Sequence, residues 1–293
     1  MPRTVDEGFR DFLARLTPSS TESAAASTHR ASIESRLKND FGLRRFFRTG
    51  SFGNGTSISG YSDVDYFASL PNDQLTRSSN YTLTKVRNAL DLRFPYTGVR
   101  VNCPAVKVPF GSVESETTEV VPADYVSKTD EGHKVYDIPD CSDGWKRSSP
   151  DAHNAYVRQQ DERLGRKVKP LVRFIKAWKY FRQVPISSFY LELRVAKYAE
   201  RESSILYSID VKRVLRMLYD SNLAAIQDPM GVSGYIYPCT SDVKLEDARS
   251  KLGTAVGRVE NAYSSEQAGK IDDAFYWWRL LYNDQFPSYY YYY

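Results

Sequence analysis

Near residue 151 the spacing of the apolar residues changes period, and this change limits the possible folds more than any other feature of the chain. Before it, β-branched and aromatic runs at residues 62–70, 99–102, 105–110 and 117–121 alternate with turn-like breaks. Helical spacing in the same half covers residues 4–16, an Ala-, Glu- and Arg-rich stretch ending near 38, and 82–93. Beyond residue 151 the pattern is helical throughout, over 151–182, 188–201, 209–224, 241–262 and 265–282. A sheet-bearing half followed by a helical half predicts an α+β fold. Because 293 residues exceed one typical core, we expect two lobes, 1–150 and 151–293, the first carrying the N-terminal helices.

The helix starts have local causes. Thr4 and Glu7 have capping-box spacing, and Phe9, Phe12, Leu13 and Leu16 fall on one face. After the break at Pro18, Ser19 and Glu22 repeat that start signal. The five tyrosines at 289–293 read as a frayed tail, with a conjugation handle as the alternative.

Composition removes several function classes. Apolar residues make up 41% and charged residues 26%, without a long apolar run, so a soluble, cytoplasmic protein that does not enter the membrane is expected. Cys103, Cys141 and Cys239 lack a C-x-x-C pair and read as three reduced thiols. His29, His133 and His153 are scattered, which leaves carboxylates and cations to do any chemistry. A net charge of +4 is too mild to mark a nucleic-acid binder.

Asp63 and Asp65 lie one residue apart on a predicted strand, so both carboxylates point to one face. Two converging anions repel, and a divalent cation with hard oxygen ligands is the usual resolution. Such a pair alone more often marks a solvated surface. Here a loop dense in Gly, Ser and Thr, opening with Gly50 and Ser51 and continuing through Asn54, Gly55 and Thr56, leads into that strand. Glycines let backbone N–H groups approach a phosphate, and the hydroxyls add donors without bulk.

The segment GSFGNGTSISGYSDVD resembles the signature of DNA-polymerase-β-like nucleotidyltransferases, a Gly-Ser pair followed by an acidic-x-acidic strand. The resemblance implies a polymerase-β-like lobe with a mixed sheet. It also implies a third carboxylate and two Mg²⁺ ions, with Mn²⁺ as substitute. Glu119 fits that third place, because Val120 points to the core and Pro122 is expected to end the strand. Glu114 and Glu116 are its rivals in a Ser-rich turn.

In the helical half, Val168, Leu171, Val172, Ile175 and Trp178 form an apolar face, with Lys169, Arg173 and Lys176 on a basic one. After Pro185, Ser188 is placed to cap the next helix, and Phe189 or Tyr190 to stack on a base or pack in the core. Together VYDIPDCSDGWKRSSP, LVRFIKAWK and PISSFYLEL resemble the cGAS/DncV-like nucleotidyltransferases and the oligoadenylate synthetases over most of the chain. That resemblance implies phosphate contacts at Lys176 and Ser188 and base stacking at Phe189 or Tyr190. It further implies an enzyme that joins ATP, GTP or other nucleoside triphosphates into a cyclic di- or trinucleotide for antiphage signalling, with regulatory or conjugating proteins of the defence operon as partners. Activation by duplex DNA or RNA is not expected, since a zinc element of Cys and His is missing. The rival readings are a synthetase of linear 2′–5′ oligonucleotides, a non-catalytic nucleotide-binding protein, and a transferase acting on a small molecule or transfer RNA.

Overall fold

The computed structural model describes residues 2–290 apart from 62, 112, 113 and 115, with residues 20–26 described by their backbone alone. In chain order the helices are α1 (Val5–Leu16), α2 (Ser20–Phe41), α3 (Gly50–Asn54), α4 (Ser79–Arg93), α5 (Pro150–Arg163), α6 (Val168–Phe181), α7 (Ser188–Ala199), α8 (Tyr207–Asp220), α9 (Asp242–Gln267) and α10 (Ile271–Leu281). The strands of the main sheet are β1 (Arg45–Arg48), β2 (Val64–Ser69), β3 (Arg100–Asn102), β4 (Ala105–Phe110), β5 (Glu116–Lys128), β6 (Lys134–Pro139) and β7 (Trp145–Ser148). The chain divides into a sheet unit, Pro18–Ala155 with Met230–Ser233, and a helical unit, Met1–Thr17 with Tyr156–Pro229 and Gly234–Tyr293. This is the α+β class that the change of period predicts.

In the sheet unit β2 and β5 run parallel, while β1 on one side and β4 then β3 on the other pair antiparallel. Val64, Tyr66, Ala68, Val106, Val108 and Val120 share a buried core with Ile33 and Leu37 of α2 and Leu83, Val86 and Leu90 of α4. Alternation along each strand sends the intervening residues to the other face, where Phe67, Ala105, Val121 and Ala123 meet Tyr136 and Ile138 of β6.

Three features of this unit differ from the sequence expectation. Pro122 does not end its strand: β5 continues to Lys128, with Pro122 in register with Ala68. On its other side, pairing with β4 stops at Val120 and pairing with β6 begins at Asp124, so a residue without an N–H falls in a gap of the ladder. β6 and β7 follow β5 as an antiparallel extension that the sequence did not mark. Finally, Cys103 and Cys141 are not free thiols but a disulfide, with Cα atoms 5.6 Å apart, while Cys239 is free. Sequence spacing carries no trace of this pair, because the β3–β4 turn and the loop after β6 meet only in the folded sheet.

The helical unit contains α1, which the sequence assigns to the first lobe. Its capping box forms as predicted, Thr4 Oγ1 accepting from the Glu7 N–H at 3.2 Å and Glu7 accepting from the Thr4 N–H at 3.3 Å. Aromatic packing decides its place: the Phe9 ring lies 4.9 Å from both Phe174 and Trp278, and Phe12 lies 4.6 Å from Tyr282. The helix predicted over 151–182 is two helices, since Gly165 and Arg166 adopt φ of +65° and +61° between α5 and α6. At the other end, Phe286 is buried, the Tyr289 ring lies 5.5 Å from Phe275, and the Tyr290 N–H donates to the Pro2 carbonyl at 3.1 Å. The expected frayed tail is therefore packed through Tyr290, and residues 291–293 lie outside the described residues, as does the Glu22 side chain of the second start signal. No described helix is long and apolar enough to cross a membrane.

Candidate active site

The parallel pairing of β2 with β5 brings two of the predicted carboxylates together: Asp65 is the direct register partner of Glu119. Both occupy the sheet face turned away from α2 and α4, because Tyr66 and Val120 beside them enter the core on the opposite face. Asp63, just before β2, adds its charge to the same place. Burial is the main force pushing the Glu119 carboxyl above the usual carboxylate range; a hydrogen bond from Asn102 and the charge of Lys107 pull it down, and Asp63 pushes it up again.

Gly50 lies against the same group. The Thr49 N–H donates to the Asp65 carbonyl at 2.8 Å, which draws the start of α3 onto β2. Gly50 adopts φ +56°, and a Cβ on it would fall 1.9 Å from Asp65 Oδ2, closer than any real contact. Only glycine fits there. The rest of the predicted phosphate loop differs from expectation: Gly50–Asn54 is a short helix, and Ser51, Asn54, Thr56 and Ser57 are buried rather than displayed as a donor surface.

The rival acids have other work. Glu114 accepts from Arg100 at 2.7 Å and pairs with Lys107 at 3.1 Å, and Glu116 meets His29 Nε2 at 2.8 Å. Two neighbours of Glu119 escaped the sequence reading. Lys107 on β4 is its antiparallel register partner, and Asn102 on β3 donates from Nδ2 to Glu119 Oε1 at 2.8 Å. Their side chains announce nothing without the strand register that brings them here.

Among the described residues, no three His, Cys, Asp or Glu side chains form a cage that could hold a metal by protein ligands alone. Magnesium does not require one: it keeps waters and takes one or two carboxylates together with substrate phosphates. Glu119 and its register partner Asp65 offer carboxylates of that kind, and the burial that raises the Glu119 carboxyl makes its anion costly without a cation.

In the helical unit the predicted nucleotide contacts separate. Lys176 is fully buried, its ammonium 3.6 Å from Glu192, which offsets the cost of an interior charge. One turn later Lys179 Nζ reaches Ser188 Oγ at 2.5 Å, and the Tyr180 hydroxyl lies 3.2 Å from the same oxygen. The cap of α7 is Ser187, which accepts from the Tyr190 N–H, so Ser188 is the first helical residue and not the cap. Tyr190 is a core residue; its hydroxyl donates to the Ala224 carbonyl at 2.8 Å and burial raises its pKa to about 12. Phe189 is 41% exposed, which leaves it as the ring of the two that a base can reach.

The chain is similar to known proteins in sequence and in fold. A probable cyclic nucleotide synthase of Bacillus cereus (strain VD146) is 25% identical over 250 residues, covering 80% of this chain and 74% of the relative. A structure of CdnC from E. coli MS115-1 with ATP superposes with a TM-score of 0.73 at 16% identity, covering 96% of this chain and 98% of that one. Escherichia coli DncV, bound to 3′-deoxy GTP, gives 0.70 at 14% identity, covering 92% and 93%. Residues 3–161 match the model of the Second Messenger Oligonucleotide or Dinucleotide Synthetase domain, and the chain belongs to that family, whose members synthesise cyclic oligonucleotides.

Proposed function

We propose that Asp63, Asp65 and Glu119 form the catalytic centre at which nucleoside triphosphates such as ATP and GTP are joined and the product is closed into a ring, in the presence of Mg²⁺ or Mn²⁺. The observation that carries this reading is the register pairing of Asp65 with Glu119 under the Gly50 backbone. Bound divalent cations, two in this reading, would lower the pKa of the attacking hydroxyl and neutralise charge on the triphosphate. Asp63, Asp65 and Glu119 supply the anionic oxygens that hold them, and the proximity of these groups makes each carboxylate more costly without a cation. The missing Cβ of Gly50 leaves room for the Asp65 carboxylate, and Ser51 follows it at the same turn. Lys179 and Ser188 are the phosphate-binding pair of the helical unit, with Lys176 and Glu192 as the buried ion pair beneath that helix surface. Phe189 offers a face for a base.

The test is incubation of the purified protein with labelled ribonucleoside triphosphates and Mg²⁺ or Mn²⁺, followed by phosphatase treatment, chromatography and mass spectrometry. A phosphatase-resistant cyclic product, lost in Asp63→Ala by about 10²-fold or more, is the expected outcome. Linear chains would move the protein to the oligoadenylate synthetase reading, and wild-type turnover unaffected by Asp63→Ala would refute the site.

A further inference from the structure

We infer that Asn102 is a positioning residue for Glu119 and that the Cys103–Cys141 disulfide is the tie that keeps Asn102 in place. This rests on the active-site reading above. Asn102 ends β3, a strand of three residues at the edge of the sheet, paired on one side only. Its register partner is Ala105, so it shares the sheet face of Lys107 and Glu119. From there Nδ2 donates to Glu119 Oε1 at 2.8 Å. Lys107, directly opposite Glu119, has its ammonium drawn to Glu114 at 3.1 Å, so among the described residues the hydrogen bond that fixes the Glu119 carboxylate comes from Asn102.

A short edge strand is poorly held by its own ladder. The next residue, Cys103, is joined to Cys141 in the loop after β6, 38 positions along the chain. The loop that carries Cys141 has its own hydrogen bonds: Asp140 Oδ1 accepts from the Ser142 and Gly144 N–H groups at 2.7 and 2.9 Å, and Asp143 Oδ1 accepts from the Asn80 N–H at the start of α4. The tie therefore runs from an anchored loop to the residue beside Asn102. A carboxylate that binds cations needs such an orienting partner, and losing one typically costs 10–100-fold in ion affinity or activity.

The experiment uses the full chain with Asn102→Ala, Asn102→Asp, Cys141→Ser and Cys141→Ser combined with Asn102→Ala. Pyrophosphate release gives kcat and KM, and Mn²⁺ binding is followed by electron paramagnetic resonance with a non-hydrolysable triphosphate. In Asn102→Ala, kcat should fall about tenfold and the Mn²⁺ dissociation constant rise about tenfold, with KM for the triphosphate within about twofold of wild type. Asn102→Asp keeps the shape, removes the donor and adds an anion, so its kcat should lie below that of Asn102→Ala. Cys141→Ser should lower kcat several-fold in the wild-type background and have no further effect in Asn102→Ala. An Asn102→Asp enzyme as fast as wild type, or an unchanged Mn²⁺ affinity in Asn102→Ala, overturns the positioning role. Equal losses from Cys141→Ser in both backgrounds overturn the tie. Thermal melts of each variant separate misfolding from these effects, and because Asn102 is exposed its own variants test the claim even if the disulfide is needed for stability. Wild-type turnover insensitive to Asp63→Ala would sink the active-site reading instead, while the Mn²⁺ titration would still judge Asn102.

Discussion

Gly50 is the residue whose replacement separates site geometry from stability. Adding a methyl group in Gly50→Ala forces either the backbone or the Asp65 carboxylate to move, since the Cβ would meet Oδ2. The far end of Asp65 is the softer partner, so the carboxylate should yield first. We expect kcat to fall about 10²-fold while the left-handed backbone costs about 1–2 kcal/mol, which paired kinetics and thermal melts would resolve. A second residue reports on pH. Burial raises the Glu266 carboxyl, the nearby charge of Asp6 adds to this, and a hydrogen bond from Ser208 opposes it; one of its oxygens is buried without a hydrogen-bond partner. A raised folded-state pKa means that the stabilising protonated form is fully present below the ordinary glutamate range and lost as pH rises through the folded value. Glu266→Gln should therefore melt higher than wild type at pH 7.5, by about 2 °C, with the gap closing near pH 4. Equal gaps at both values would dismiss burial of the charge as the cause.

Elements differ in how openly the sequence declares them. The capping box of α1 is local, so Thr4 and Glu7 show it by their spacing; Thr4→Ala should cost about 1 kcal/mol in urea denaturation. The shared sheet face of Asp65 and Glu119 was legible for the same reason, because a two-residue period aims side chains without knowledge of any partner strand, whereas Asp63 lies just before β2. What sits opposite them was not. Lys107 and Asn102 are functional candidates only through the register of β3, β4 and β5, and the long reach of β5 past Pro122 depends on a gap between two partners. Serine choice at α7 failed more narrowly: Ser187 and Ser188 are adjacent, and only backbone geometry tells which oxygen turns back to the helix and which meets Lys179. The C-terminal end of α10 shows the same dependence on distance. Arg182 donates to the carbonyls of Leu280 and Leu281, and Arg258 to that of Leu280 at 2.9 Å, so two cations from α9 and the end of α6 add to the closure that the Tyr282 and Asp284 N–H groups give α10.

Across the whole molecule, the α+β class was readable from a change in apolar period, whereas the membership of each unit was not. Amphipathic spacing shows that α1 has a face to bury but not which face receives it. Phe9 and Phe12 find Phe174, Trp278, Tyr282 and Phe286, so α1, α6 and the segment from α10 to Phe286 build one aromatic core. Phe12→Ala should destabilise the protein by about 3–5 kcal/mol, measured by chemical denaturation, even though it lies in a separate unit from the carboxylates. A loss below 1 kcal/mol would mean that this core is dispensable.

That shared core also imposes an order on synthesis. The ribosome releases α1 long before its aromatic partners at 278, 282 and 286. Residues 18–155 can condense around their sheet while translation continues, because nearly all of that unit is contiguous. Phe9 and Phe12 must wait in water, or in the keeping of a chaperone, until residues 278–286 have been made. A ribosome stalled between the two would thus carry a formed sheet and, in the same chain, an apolar helix still without its aromatic partners.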